Sequence, residues 1–281
     1  MTNLLYLWGM DIRKSDGTLE KFDEEKLARA LARSRVNPTV ATDLLANIPR
    51  LIRPGTSTQQ LHDRILHELE RQDPAGAARY NLKHAMLHLG PTGYPFEQYF
   101  AQVMKARGWT ARVGVELPGK CVMHEVDVLA EKDGKQCAVE AKYRNSSGAR
   151  VDIKVALYVH ARHEDLKAHD PSITGMLVTN TMFTRDAIAY GECMSMNLMA
   201  WNYPKDHTLA NYIEELGLYP VTVFSQLPPR VVQTMANDGV VLAHHLCNLK
   251  PTAGRTYGLS DATFAVLQRD AKTLCDSLAS S

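Results

Sequence analysis

Cysteine is scarce: five residues, at positions 121, 137, 193, 247 and 275. The number is odd and no two have C-x-x-C spacing, which reads against a disulfide framework and a four-cysteine zinc site, and reduced thiols in a cytoplasm are expected. No apolar run approaches the roughly 18 residues that would cross a bilayer, so no membrane contact is expected. The opening residues, Met-Thr-Asn-Leu-Leu-Tyr-Leu-Trp-Gly-Met, lack a basic stretch ahead of their short apolar run, which reads against a signal peptide. There is no G-x-x-x-x-G-K-[ST] loop, which argues against ATP hydrolysis by a P-loop. Charge of one sign is missing as well. Thirty-two basic residues face thirty-one acidic ones, for a net charge of +1. No stretch carries a basic balance strong enough to argue nucleic-acid contact alone, so any chemistry on nucleic acid has to be argued from a site.

What is present is a globular composition, 45% hydrophobic and 22% charged, over 281 residues. At about 150 residues per domain this allows two domains or three small ones. Three stretches emerge, 1–90, 91–205 and 206–281. The first opens with a short extended piece at Asp11–Lys14, a turn at Ser15-Asp16-Gly17 and a second extended piece at Thr18–Glu20, a hairpin signal. A helix should follow from the N-cap Asp23, with Leu27, Ala30 and Leu31 inward. The next should start at the capping box Ser57–Gln60, and a third should run over about 75–89. Gly90-Pro91-Thr92-Gly93 reads as a linker.

From 94 to 205 the pattern becomes mixed. A helix is predicted over 95–107, strands over 111–117, 122–130 and 136–143, and a helix over 151–168. A strand over 173–179, a helix over 184–195 and a last strand over 198–201 complete it. The class is α/β: a small helical domain, a mixed β-sheet flanked by helices, and a helical C-terminal domain.

The sharpest signal lies in the middle stretch. Side chains alternate along a strand, so Glu140 and Lys142 share one face about 7 Å apart. If the strands over 122–130 and 136–143 pair across Lys132-Asp133-Gly134-Lys135, Asp127 comes to lie near Glu140, and Glu125 falls on the same face as Asp127. Two carboxylates about 4 Å apart repel by roughly 4 kcal/mol at an effective dielectric near 20, and a divalent cation relieves that. Hard oxygen ligands suit Mg²⁺ or Mn²⁺, which can hold a phosphate oxygen and activate water, with Lys142 alongside. Stripped of context, the same pattern also fits a solvated strand face or a cross-strand ion pair.

The context is Gly93-Tyr94-Pro95-Phe96-Glu97, then His124-Glu125-Val126-Asp127-Val128, then Ala138-Val139-Glu140-Ala141-Lys142-Tyr143. Over about 94–203 this order resembles the PD-(D/E)xK nuclease superfamily, and most closely its Mrr-like type IV restriction endonucleases. The resemblance implies a restriction-endonuclease fold and metal-dependent cleavage of DNA. It implies that Asp127 and Glu140 bind the metal, that Lys142 serves catalysis, and that Glu97 supports the site. Tyr143 and Arg144, next along, could touch DNA phosphate.

The N-terminal run Ile12-x-Lys14-x-Asp16-Gly17-x-x-Glu20-x-Phe22-Asp23-x-x-Lys26-Leu27, with Thr58 and His62, resembles the ATP-cone. That resemblance implies binding of ATP or dATP as a regulatory ligand by Ile12, Lys14, Glu20, Asp23, Lys26, Thr58 and His62, often coupled to oligomerisation. Physically, Lys14 and Lys26 can face phosphates, and a helix N-terminus adds attraction for an anion. Thr58 and His62, four apart, share a helix face.

In the last stretch, Leu227-Pro228-Pro229-Arg230 followed by Asp238-Gly239 and His244-His245 faintly resembles a helix-hairpin-helix unit, with a final helix carrying Phe264, Leu267 and Leu274. A protein contact or dimerisation fits this stretch equally, and His244-His245 reads as a surface pair. The combined expectation is a nucleotide-regulated, divalent-metal-dependent DNA endonuclease of restriction or defence, acting as a homo-oligomer (dimer or tetramer). The alternatives are a non-catalytic nucleotide-sensing DNA-binding regulator on a nuclease-like fold, and a nuclease for RNA or junctions.

Overall fold

The computed structural model describes residues 11–14, 16–146 and 148–279. The absence of a leader in the first ten residues, and Ser15 of the first turn, lie outside them. Two compact units divide the chain: one holds the chain through Lys83 together with the residues from Lys272 onward, the other is His84–Ala271.

In the first unit, β1 (Asp11–Arg13) and β2 (Leu19–Lys21) form an antiparallel ribbon, Ile12 opposite Glu20. The turn is held by Asp16 Oδ1, which accepts from the Thr18 amide at 2.9 Å and its hydroxyl at 2.6 Å. Asp23 caps α1 (Glu24–Arg33) by accepting the Lys26 amide at 2.8 Å. Ser57 and Gln60 close the expected capping box on α3 (Thr58–Gln72). Leu27, Leu31, Ile65, Leu66 and Leu69 fill the core.

Between these helices stands one the sequence reading does not anticipate, α2 (Pro38–Leu51), which buries Leu44 and Ile48. Pro38 sits in its first turn, where a missing N–H costs nothing, and Asn37 caps it by accepting the Thr39 amide. Pro49 falls in its last turn. Two prolines at the ends of the pattern made it read as broken. The helix α4 (Pro74–Leu87) follows.

In the second unit the central sheet has the order β3-β4-β5-β7-β9. The strands are β3 (Thr110–Pro118), β4 (Met123–Lys132), β5 (Lys135–Lys142), β7 (Ile173–Thr179) and β9 (Asn197–Met199). The first three pair antiparallel, and β5, β7 and β9 are parallel, so the sheet is mixed as expected. The parallel steps need crossovers, which α6 (Ile153–His169) and α7 (Arg185–Cys193) supply. A ribbon absent from the sequence reading, β6 (Arg150–Val151) with β8 (Met182–Phe183), precedes each of those helices. Two-residue strands are too short to leave a periodic signal.

The helix α5 (Tyr94–Ala106) buries Phe96, Tyr99, Phe100, Val103 and Met104 and packs on β3 and β4. Residues 206–271 belong to this unit too. They form α8 (Leu209–Leu216), α9 (Pro229–Asn237), α10 (Ala243–Asn248) and most of α11 (Asp261–Ala279). The buried Tyr99 hydroxyl donates to Leu218 O at 2.7 Å, anchoring them to α5. His245 is half-buried rather than a plain surface residue. Its Nδ1 accepts the Val241 and Leu242 amides at 3.3 and 3.4 Å, at the start of α10.

The loop leaving β5 is fastened by buried Asn180. Its amide donates to Met86 O at 2.8 Å and Arg144 O at 2.7 Å, and its oxygen accepts the Arg144 amide at 2.8 Å. An unpaired buried backbone group costs about 1–3 kcal/mol. Asn180→Ala, which strands three, should lower the stability of this unit by roughly 3 kcal/mol. Urea denaturation of the full chain, followed by a probe on the sheet, measures it.

Candidate active site

The site begins with a tight turn. Asp133 and Gly134, both at positive φ, reverse the chain between Lys132 and Lys135, the geometry that matches strand twist in a two-residue hairpin. That turn fixes the register Lys132↔Lys135 through Val128↔Val139. One step further along, Asp127 falls opposite Glu140, on a common face.

The ladder opens at this step. On the β3 side the paired residues are Val113↔Val128 and then Val115↔Val126, stepping over Gly114 and Asp127. Gly114 has φ +64, a conformation that breaks the pleat and that side chains resist. The Asp127 carboxylate takes up the slack: its Oδ2 accepts the Ala141 amide at 2.7 Å.

Glu140 is only 3% exposed. One of its oxygens pairs with Lys142 Nζ and the other with Arg162 Nη1 from α6. Arg162 also donates to Glu125 O at 3.0 Å. Its guanidinium carbon lies 4.8 Å from the centre of the Tyr158 ring. Sequence reasoning missed Arg162. It comes from a helix twenty-two residues beyond Glu140, and its only sequence trace is the i, i+4 spacing from Tyr158.

Glu97 arrives from the first turn of α5. Burial first, then the charges of Asp127, Glu125 and Glu140, push its carboxyl up to about 7, against a smaller opposite pull from Lys142. Asp127 is also raised, by burial first and then by Glu140, with the Ala141 amide, Lys142 and Arg162 opposing. The structure thus brings Glu97, Asp127, Glu140 and Lys142 into one electrostatic cluster, with exposed Glu125 on its edge.

Among the described residues no three His, Cys, Asp or Glu side chains are grouped so as to hold a metal ion by themselves. Two carboxylates fit Mg²⁺ all the same, because that ion keeps several waters and commonly takes one or two protein carboxylates plus substrate phosphate. The donor set of Asp127 and Glu140 is of that kind, and the raised carboxyls of Glu97 and Asp127 mark a surplus of negative charge that a cation would relieve.

Neighbouring residues have other work. His124 Nε2 lies 2.8 Å from Asp165 Oδ2 on α6. Asp165 also accepts the Cys121 amide at 2.9 Å, and its hydrogen bonds from His124 and Cys121 hold its carboxyl down at about 2. It thereby pins the β3–β4 turn. The Tyr143 hydroxyl donates to Leu87 O at 2.6 Å, so it serves the fold.

In the first unit, the residues expected at a nucleotide site also gather. Lys14 pairs with Glu20, and the charge of Lys26 also reaches Glu20. The Arg13 amide bonds Thr56 O at 3.0 Å and Arg13 bridges Ser57, which sets the ribbon beside the N-terminus of α3. Thr58 stands there and His62 one turn later, stacked 5.0 Å from the Tyr80 ring with Nε2 3.2 Å from Asn81 Oδ1. Asp23 is engaged as the α1 cap, and Ile12 packs on the core.

The fold and both clusters define a nuclease-like α/β domain joined to a nucleotide-sensing module. Family comparison gives the same division: residues 10–84 match the ATP cone domain, and residues 91–204 match the Restriction endonuclease family, the Mrr catalytic type. The chain is therefore an ATP-cone domain followed by an Mrr-type restriction endonuclease domain. It is 29% identical over 160 residues to an uncharacterized protein of Archaeoglobus fulgidus, a match covering 57% of this chain and 90% of that one. The crystal structure of a protein of unknown function, AF1548, superposes with a TM-score of 0.58 at 27% identity, over 68% of this chain and all of that one. No helix among the described residues is long and apolar enough to cross a membrane.

The raised Glu97 carboxyl has a pH consequence. A carboxyl whose folded pKa exceeds its unfolded value favours the folded state while protonated, and that advantage is lost as pH rises from the unfolded value, about 4.3, through 7. Glu97→Gln should therefore flatten the fall of the melting temperature between pH 5 and pH 8 in metal-free protein, and be the more stable form at pH 8. Parallel melting curves with chelator present measure it; identical pH slopes would show that Glu97 is solvated.

Proposed function

We propose that the chain is a nucleotide-regulated, divalent-metal-dependent DNA endonuclease, hydrolysing phosphodiester bonds in restriction or defence as a cytoplasmic homo-oligomer. In this reading residues 1–90 sense ATP or dATP, residues 91–205 cut DNA, and residues 206–281 form an accessory helical part. The observation that carries it is the Asp127 carboxylate bound to the Ala141 amide, just past the last β4–β5 pair Val128↔Val139 and next to Glu140, which is itself paired with Lys142.

Asp127 and Glu140 would hold Mg²⁺ or Mn²⁺, which when bound neutralises charge on the scissile phosphate and makes water a better nucleophile. Lys142, 29% exposed and paired to Glu140, can orient water or meet the charge that grows on the phosphate oxygens. Glu97, whose carboxyl burial and neighbouring carboxylates push up to about 7 in the metal-free protein, can hold or accept a proton beside Asp127. In the nucleotide module, Lys14 and Lys26 offer ammonium groups to phosphate, and the N-terminus of α3 at Thr58 adds its dipole. Glu20, Asp23, His62 and Ile12 would complete that pocket.

A second reading has one observation in its favour. Both oxygens of Glu140 already pair with cations of the chain itself, as in a nuclease fold kept for binding alone. A non-catalytic, nucleotide-sensing DNA-binding regulator would retain DNA without nicking it.

Supercoiled plasmid with Mg²⁺ or Mn²⁺, with and without ATP and dATP, separates the two. Wild type should nick it, and Asp127→Asn, Glu140→Gln and Lys142→Ala should each slow nicking by about 10²–10⁴-fold while nucleotide affinity is unchanged. Variants that cut at the wild-type rate would remove these residues from the site; tight DNA retention with no nicking by wild type would favour the regulator. Independently, Lys14→Ala and Lys26→Ala should each weaken ATP or dATP binding by about tenfold in titration calorimetry, one charge-assisted contact apiece.

A further inference from the structure

Glu140 presents a problem of occupancy. Lys142 holds one of its oxygens and Arg162 the other, so a divalent cation approaching this carboxylate competes with both of them for its lone pairs. The two are not equally tied. Lys142 lies two residues along the same strand on the same face, and its tether keeps it beside Glu140 wherever its ammonium turns. Arg162 reaches in from α6, which is fixed at its start by Asp152 accepting the Val155 amide at 3.2 Å.

The guanidinium has an alternative position ready. Its Nη2 already meets the Tyr158 hydroxyl and its carbon lies 4.8 Å from the centre of that ring, on a residue that is itself 54% exposed. Arg–aromatic stacking retains attraction when the ion pair is given up. The inward position is also incompletely satisfied: Arg162 Nε is buried with no hydrogen-bond partner among the described residues. A buried unmet donor costs free energy that an outward turn would recover.

We infer that Arg162 is an exchangeable counter-ion: it holds Glu140 in the metal-free protein, yields that carboxylate oxygen to a divalent cation, and by this competition sets the affinity of the site for metal. The inference rests on Asp127 and Glu140 being the metal ligands. In metal-free protein Arg162 offsets a buried negative charge, and removing it leaves that charge for the cation to satisfy.

Mn²⁺ binding to the full chain, followed by the electron paramagnetic resonance signal of free Mn²⁺, tests this without reference to cleavage. Arg162→Gln should bind Mn²⁺ about tenfold more tightly than wild type, while Arg162→Lys, which keeps the charge, should stay close to wild type. Without metal, Arg162→Gln should melt below wild type, and saturating Mn²⁺ should narrow the gap. Equal or weaker binding by Arg162→Gln, abolished in both backgrounds by Asp127→Asn, would overturn the role of Arg162 and leave the metal site standing. Wild type and Arg162→Gln that both bind no more Mn²⁺ than Asp127→Asn would overturn the metal site and the inference together.

Should Arg162→Gln not fold, the wild-type chain carries the test. The Arg162 Nε–H resonance in ¹⁵N NMR, assigned by its loss in Arg162→Lys, should shift and exchange faster with water as Mg²⁺ is added. A resonance unmoved while the Asp127 amide responds to Mg²⁺ would sink the exchange, and no response at either position would sink the site.

Discussion

Burying a carboxylate costs several kcal/mol unless cations and donors surround it, and Glu140 is the carboxylate that this fold buries most completely. The rest of the second unit is arranged to meet that cost. Lys142 is brought alongside by strand periodicity and Arg162 by the crossover helix, while the nearby carboxylates of Asp127 and Glu97 add a repulsion that these cations offset only in part. The cluster is stable as a structure while still carrying more negative charge than positive. A fold that needed only stability would neutralise it or replace it with apolar side chains, and this imbalance is what the proposed divalent cation would relieve.

The supporting structure around the cluster is unusually local. Asp165 pins one end of β4 through the Cys121 amide and His124, and Asn180 pins the exit from β5 through Arg144. Between these anchors the ladder is allowed to open at Gly114 and Asp127. Rigid ends with a loosened middle let a carboxylate, rather than the neighbouring strand's carbonyl, face the Ala141 amide. Groups held this way keep a fixed mutual geometry, as the proposed phosphodiester hydrolysis would need.

Much of this was legible beforehand, and for definite reasons. The alternation of β4 and β5 and the Asp133-Gly134 turn determine which residues meet, so Asp127, Glu140 and Lys142 could be placed together from pattern alone. Glu97 needed the resemblance to known nucleases, because a glutamate in the first turn of a helix is unremarkable by itself. Arg162 was out of reach: pattern gives the face of a helix, not which strand residue it will meet across a crossover. The helix α2 was hidden by its terminal prolines, and the β6–β8 ribbon by its brevity. His245 was misjudged because adjacency in sequence says nothing about burial, and here the ring turns back onto the amides at the start of α10.

The two-residue reversal at Asp133-Gly134 has one more implication. It lies six positions from Asp127 on one arm and six from Glu140 on the other, so the alignment of the pair is set by a remote hinge that touches neither. Lengthening that bend by a single amino acid would slide one arm against the other and send Glu140 and Lys142 through to the opposite side of the sheet. The β3–β4 bend is fixed differently, from outside, by Asp165 accepting the Cys121 and Val122 amides. Natural variation in loop size within this architecture should accordingly spare the Asp133-Gly134 bend.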